Sequence, residues 1–204
     1  MKLYFSPGAC SLSPHIVLRE AGLNFDLEQV DLKAKVTKGG RDFRQINPKG
    51  LVPVIEIDGG SVLTEGPAIV QYIADRAPQS GLAPANGSTE RYQLQEWLNF
   101  ITAEIHKTFT PLFKPNTPDA YKQIAKDKLA EQFAYLDRHL ASHQFLLGNS
   151  FTVADAYCFV VVGWSKFQNI DLAPYPNLKA YVERIAARPK VQEALKAEGL
   201  LKAA

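Results

Sequence analysis

The chain has 204 residues, 46% of them hydrophobic and 22% charged, with a formal net charge of +2. This balance supports a packed core and excludes wholesale disorder; Lys and Arg interleave with Asp and Glu, leaving no basic stripe for nucleic acid. The longest apolar stretch, 157–164, falls far short of the ~20 residues of a membrane span, and the two cysteines, Cys10 and Cys158, are too few for a secreted disulfide scaffold, so a cytoplasmic protein is expected.

Met1-Lys2 leads directly into the strand-like Leu3-Tyr4-Phe5, and no signal peptide is expected. Ser13-Pro14 then reads as an N-cap followed by proline at the first helical position, and Gly22 as the C-cap. Residues 25–31 alternate apolar and polar like a half-buried strand, whereas 33–47 show no regular pattern. A further apolar run, 51–57, precedes Asp58-Gly59-Gly60 and Val62-Leu63, a hairpin signal. Residues 67–77 carry Ile69, Val70 and Ile73 at helical spacing. The predicted order is therefore βαβ, a connector, then ββα.

The stretch 78–88, with Pro78, Gly81, Pro84, Asn86 and Gly87, has the composition of a domain boundary. Two domains are predicted, 1–80 and 88–204. Strand signals vanish in the second, where Tyr92, Leu94, Trp97, Leu98, Ile101 and Ile105 repeat with helical period, as do Leu129, Phe133, Leu136 and Leu140. Thr152-Val153-Ala154-Asp155 forms a capping box ahead of an apolar helix over 156–164, with Phe151 placed as its hydrophobic staple. A last helix is predicted over 177–187, ending before Pro189.

Several residues invite chemistry. Cys10 follows Pro7-Gly8-Ala9 and stands near a helix N-terminus, where orphan amides favour a thiolate; the alternative is a small buried cysteine. Cys10-Ser11-Leu12-Ser13 has the spacing of a thioredoxin-type redox motif with serine in the second cysteine's place, which permits mixed disulfides but no internal one. Cys158, between Tyr157 and Phe159, reads as core. Pro53 cannot donate to a sheet ladder: in cis it would turn the Val52 backbone toward an extended peptide beside the sheet edge, and in trans it merely starts a strand. Glu65-Gly66 heads a helix, where Glu65 suits an ammonium and Gly66 lets a carboxylate reach the helix amides, although an acidic helix start is also ordinary capping. A lone His106 reads as a solvated helix residue, and the histidines form no metal-ligand spacing with the cysteines, so no metal is expected.

Taken together, Pro7-Gly8-Ala9-Cys10-Ser11, Asn47-Pro48-Lys49-Gly50-Leu51-Val52-Pro53, Leu63-Thr64-Glu65-Gly66 and Phe151-Thr152-Val153-Ala154-Asp155 resemble the marks of a cytosolic glutathione S-transferase, and they span nearly the whole chain. Trp97-Leu98-Asn99-Phe100 and His106-Lys107 resemble the bacterial beta class, in which cysteine replaces the Tyr or Ser of other classes. The resemblance implies an α+β thioredoxin-like N-terminal domain (βαβ-ββα) followed by an all-α C-terminal domain, normally in a homodimer. It implies that Cys10 meets the glutathione thiol, Lys35 the glycine carboxylate, Val52 beside Pro53 the cysteinyl backbone, and Glu65-Gly66 the γ-glutamyl group, with Asn99, Ala103 and His106 contributing from the second domain. Residues 99, 103 and 106, spaced four and three, are expected on one helical face. Many members carry Ser at position 66, a hydroxyl that Gly66 lacks. Phe109, Phe113 and Trp164 are candidates to line the pocket for the second substrate.

The expected function is conjugation of glutathione, a co-substrate rather than a resident cofactor, to small hydrophobic electrophiles, with Cys10 and His106 as catalytic residues. Glutathione-dependent thiol-disulfide exchange or reductive dehalogenation on the same site is the alternative, and a non-catalytic carrier of the same fold is a further one.

Overall fold

Leu3-Tyr4-Phe5 are apolar on both faces, which suits an inner strand. In the computed structural model, which describes residues 1–57 and 59–201, they lie in the middle strand of a five-stranded mixed sheet of order β3-β2-β1-β4-β5. The strands are β1 (Lys2–Phe5), β2 (Asp26–Asp31), β3 (Val36–Thr37), β4 (Val54–Glu56) and β5 (Val62–Thr64). β2 runs parallel to β1, with Lys2 opposite Asp26; β4 runs antiparallel to β1, with Tyr4 opposite Val54. β3 and β5 pair antiparallel with β2 and β4. Tyr4, Val30, Phe43, Ile46, Val52 and Val54 form a buried cluster, while Leu3 and its cross-strand partner Ile55 point to the alternate face. The predicted turn residue Asp58 and residues 202–204 of the second predicted domain lie outside the described residues.

Helix α1 (Leu12–Glu20) begins one residue before the expected Ser13 N-cap. Ser13 Oγ instead donates to the Cys10 carbonyl at 2.9 Å, and Pro14 falls within the first turn, where its missing N–H costs nothing. At the other end the reading holds. Gly22 (φ +66°) donates to the Arg19 carbonyl and Leu23 to that of Leu18, a Schellman motif. The unassigned stretch 33–47 contains β3 and a 3₁₀ turn, Phe43–Gln45, capped by the Asp42 carboxylate. β4 is shorter than the apolar run 51–57, because pairing starts only after Pro53, which has no N–H to give the ladder. Helix α2 (Gly66–Arg76) follows β5 directly.

By packing, the chain divides into two units, one of residues 1–83 together with the stretch from Ala187 onward, the other of 84–186. Beyond Pro189, where the sequence predicts no element, the chain forms a further helix. That helix, α8 (Pro189–Ala197), packs on α1, and Arg188 makes a two-pronged pair with Glu20 at 2.7 and 2.9 Å.

The second unit is helical: α3 (Thr89–Phe100), α4 (Lys107–Phe113), α5 (Asp119–Leu140), α6 (Val153–Gly163) and α7 (Pro176–Ala186), with a 3₁₀ turn at Trp164–Gln168. Between α3 and α4 runs a π-helical segment, Ile101–His106, whose wider ring is closed by the Lys107 N–H donating to the Thr102 carbonyl. The capping box of α6 is present. Its Asp155 carboxylate is buried and accepts from the Leu146 N–H, the Thr152 N–H and hydroxyl, and the Tyr181 hydroxyl, all within 2.8–2.9 Å. Phe151 is buried edge-on to Phe145.

Candidate functional site

In the first unit, the loop after β1 and the loop before β4 bring Cys10 and Val52 together. The half-buried Cys10 thiol donates to the Val52 carbonyl at 3.4 Å. The Val52–Pro53 bond is cis. Val52 does not lie on a sheet edge as expected, since β4 is flanked by β1 and β5; it stands at the N-terminal end of that strand, where the ladder has not yet begun. Ser11 is fully buried, its hydroxyl accepting from the Ser6 N–H at 3.1 Å and donating to the Ser6 carbonyl at 3.2 Å, so it serves the loop rather than a sulfur. Cys158 is enclosed in the second unit, where burial pushes its thiol well up, and it is inert at neutral pH.

Charged groups gather around the same loop. Lys35, in the left-handed region at φ +60°, reaches the Gly50 carbonyl with its ammonium at 2.8 Å. Lys33 and Lys38, the other lysines of that run, are exposed. Asn47 donates to the Leu51 carbonyl at 2.8 Å, shaping the turn that leads to Val52. Glu65, also at positive φ (+68°), is exposed and receives Lys49 Nζ at 2.5 Å; the same ammonium bonds Thr64 Oγ1 at 2.8 Å. Lys49 was missed in the sequence, although the motif containing it was noted, because a lysine in a loop carries no periodic signal. Gly66 opens α2, and a Cβ built there would meet only Pro53 Cγ at 3.9 Å, an ordinary contact. A thiol, two ammonium groups, a carboxylate and a helix-heading amide thus surround one stretch of loop. That set complements a zwitterionic peptide bearing a sulfur, two carboxylates and an amino group.

In the second unit Asn99 and Ala103 are exposed and His106 is half-buried. Their spacing of four and three no longer defines one face, because the π segment containing Ala103 and His106 departs from the 3.6-residue period. His106 Nδ1 lies 2.6 Å from the Tyr157 hydroxyl, and its ring meets Trp164 edge-on at 4.9 Å. Trp164 in turn meets Phe109 and Phe113 at 5.7 and 5.5 Å. Phe109 is fully enclosed and offers no surface to a ligand, whereas Phe113 is 48% exposed. Tyr157, buried against His106, is the partner that sequence reasoning missed; within the apolar run of α6 it reads as core. Among the described residues no cluster of three or more His, Cys, Asp or Glu is arranged for a metal, and no helix is long and apolar enough to cross a membrane.

Residues 8–76 match the family profile of the glutathione S-transferase N-terminal domain, and residues 100–189 that of the glutathione S-transferase C-terminal domain. A relative named glutathione S-transferase GstA, from Escherichia coli O157:H7, is 46% identical over 200 residues, covering 98% of this chain and 100% of its own. A sphingomonad glutathione S-transferase complexed with glutathione superposes with a TM-score of 0.96 at 51% identity, over 98% of this chain and 100% of that one. A beta-class glutathione S-transferase of Sphingomonas chungbukensis does so with a TM-score of 0.96 at 49% identity, again over 98% and 100%. The two profiles and the near-complete overlap with these relatives show that the chain belongs to the glutathione S-transferase family, with the bacterial beta-class pattern.

Proposed function

We propose that the protein conjugates glutathione to small hydrophobic electrophiles, with Cys10 beside the ligand sulfur. The observation that carries this reading is the contact of the Cys10 thiol with the Val52 main chain, at a point where the strand backbone is not yet paired within the sheet. A peptide laid along Val52 would bring its cysteinyl sulfur to Cys10. Its γ-glutamyl ammonium would meet Glu65, its γ-glutamyl carboxylate the Gly66 amide, and its glycine carboxylate Lys35. In the reaction the glutathione thiol loses its proton, the sulfur forms a bond to the electrophilic carbon, and the leaving group departs or the acceptor takes the electron pair. His106, its ring fixed by Tyr157 and Trp164, is assigned the role of polarising that sulfur. Asn99 and Ala103 complete the assignment by resemblance, as do the homodimeric state and the cytoplasmic location.

A half-exposed cysteine at the thiol position also favours a second reading, thiol-disulfide exchange through a mixed disulfide between Cys10 and glutathione. Cys10→Ala separates the two. Conjugation of a chromogenic electrophile should persist at about a third of the wild-type rate or more, since the attacking sulfur belongs to the ligand, whereas exchange should vanish with the protein sulfur. Loss of both activities in a folded variant would overturn conjugation as the primary reaction. Retention of wild-type protein on immobilised glutathione without turnover would favour the carrier.

A further inference from the structure

The Lys49 ammonium stands beside the position given to the γ-glutamyl head, yet it has no part in the assignment above. The turn that carries it is held from inside by the buried Asn47. That side chain accepts from the Lys49 N–H at 3.2 Å and donates to the Leu51 carbonyl at 2.8 Å, and the Asn47 carbonyl accepts from the Gly50 N–H at 2.8 Å. From this turn the lysine side chain crosses to the end of β5 and the head of α2, where Nζ donates to Thr64 Oγ1 at 2.8 Å and to Glu65 Oε1 at 2.5 Å. An ammonium has three N–H groups. Two are used here, and among the described residues neither the third nor Glu65 Oε2 has a protein partner.

The backbone of Glu65 is fixed as well. At φ +68°, its carbonyl accepts from the Ala68 and Ile69 N–H groups at 3.1 and 3.0 Å, which keeps the carboxylate by the head of α2. Folding stability does not require the pair: the two side chains are 47% and 71% exposed, and ion pairs so placed contribute little. The consequence falls on a ligand. When a ligand ammonium takes the other oxygen of Glu65, two positive charges share one carboxylate and repel each other across it. A ligand that brings its own carboxylate beside its ammonium cancels that repulsion. An α-amino acid carries both groups on one carbon, so four charges can alternate in sign around a ring: Lys49, Glu65, ligand ammonium, ligand carboxylate.

Resting on the reading that the γ-glutamyl head lies at Glu65 and Gly66, we propose that Lys49 is a specificity-determining residue: its third N–H takes the α-carboxylate while Glu65 takes the α-ammonium. The site thereby selects an intact α-amino-acid head over one that carries the ammonium alone. A lysine that only braced Glu65 would behave differently, because a ligand without the carboxylate would need the brace just as much.

The test is Lys49→Met, which removes the charge and keeps much of the side chain's length; loss of one partner of an exposed pair leaves the fold intact. Dissociation constants are measured by calorimetry, directly for glutathione and by displacement for 4-aminobutyryl-cysteinylglycine, the same peptide without its α-carboxylate. Glutathione should bind the variant about tenfold more weakly, equivalent to ~1.4 kcal/mol, as the loss of one charge-assisted hydrogen bond requires. The peptide lacking the carboxylate should bind variant and wild type within about twofold, or the variant more tightly, since to it the lysine offers only repulsion. Lys38→Met removes the same charge at an exposed position of the same unit and should leave both constants unchanged. Equal weakening of the two peptides by Lys49→Met would reduce Lys49 to a brace for Glu65 and overturn the proposal. So would a change in glutathione binding below about twofold, the scatter of an ordinary surface substitution. If wild-type protein fails to bind glutathione, the functional reading itself falls, and the proposal falls with it.

Discussion

Asp155 and Glu198 are both carboxylates buried among donors, each within its own unit, yet they draw on the chain in different ways. Asp155 collects its partners from close by: Thr152 three residues away, Leu146 nine away and Tyr181 twenty-six away. Glu198 takes its partners from the other end of the chain, His15 at a separation of 183 and Gly8 at 190. The first closes a helix start within one motif and serves the stability of the helical unit. The second ties the end of the terminal helix to the loop between β1 and α1 and to the first helix. Burial of a carboxylate is therefore no guide to its role; the separation and nature of its donors are.

The sharpest way to break this contrast is to remove Asp155. Asp155→Ala would strand four donors in the interior, and each buried donor without a partner is costly. Burial raises the Asp155 carboxyl pKa while the donors pull it back, so the group stands in balance only with its donors present. The substitution should lower stability by about 3 kcal/mol or more, with a fall in Tm of roughly 10 °C, measured by urea and thermal unfolding. KM for glutathione in the protein that remains folded should be unchanged. A variant that unfolds normally but binds glutathione poorly would refute the local role assigned to Asp155.

A gentler probe sharpens the contrast from the other side by adding a group at the surface of the sheet unit. Gly66→Ser places a hydroxyl at the head of α2, where the added Cβ meets only Pro53 at 3.9 Å and the backbone needs no positive φ. The hydroxyl would give a ligand carboxylate a second donor beside the Gly66 amide. KM for glutathione should fall about threefold to tenfold, in line with ~1 kcal/mol for one hydrogen bond, with Tm unchanged. Unaltered or weaker binding would remove the γ-glutamyl carboxylate from this position.

What the sequence disclosed follows the same division between near and far. The βαβ-ββα order, the Schellman end of α1 and the capping box at Thr152–Asp155 are written in neighbouring residues, and each was legible. Motif order also made Cys10, Val52, Glu65 and Gly66 legible as a set, and the fold brings Cys10 to Val52. Beyond reach were features created by contact between distant segments. β3 forms because β2 offers it an edge, α8 turns back onto α1, and Lys49 finds Glu65 across two loops. Tyr157 looked like core because it is core, and only the fold places its hydroxyl on His106. The π segment defeated the spacing of residues 99, 103 and 106 because a period of 3.6 was assumed where the backbone inserts a wider turn.

The smallest expected effect lies in the helical unit and concerns pH. Partial burial lowers the His139 pKa, and the ring sits stacked on His143 at 4.2 Å while its Nε2 bonds the Leu146 carbonyl. A histidine whose folded pKa lies below its unfolded value binds its proton more readily when unfolded, so stability is complete above the unfolded pKa of about 6.5 and is lost as pH falls through it. Because the ring is only partly buried, screening still shrinks the effect, and the fall in Tm between pH 7.5 and 5.5 from this group should be no more than about 1 °C. His139→Gln should flatten that small slope without touching glutathione binding, since its partners Leu146 and His143 lie within the helical unit and Cys10 and Val52 belong to the other. If His139→Gln instead altered KM for glutathione, the local, short-range character assigned to the helical unit would no longer hold.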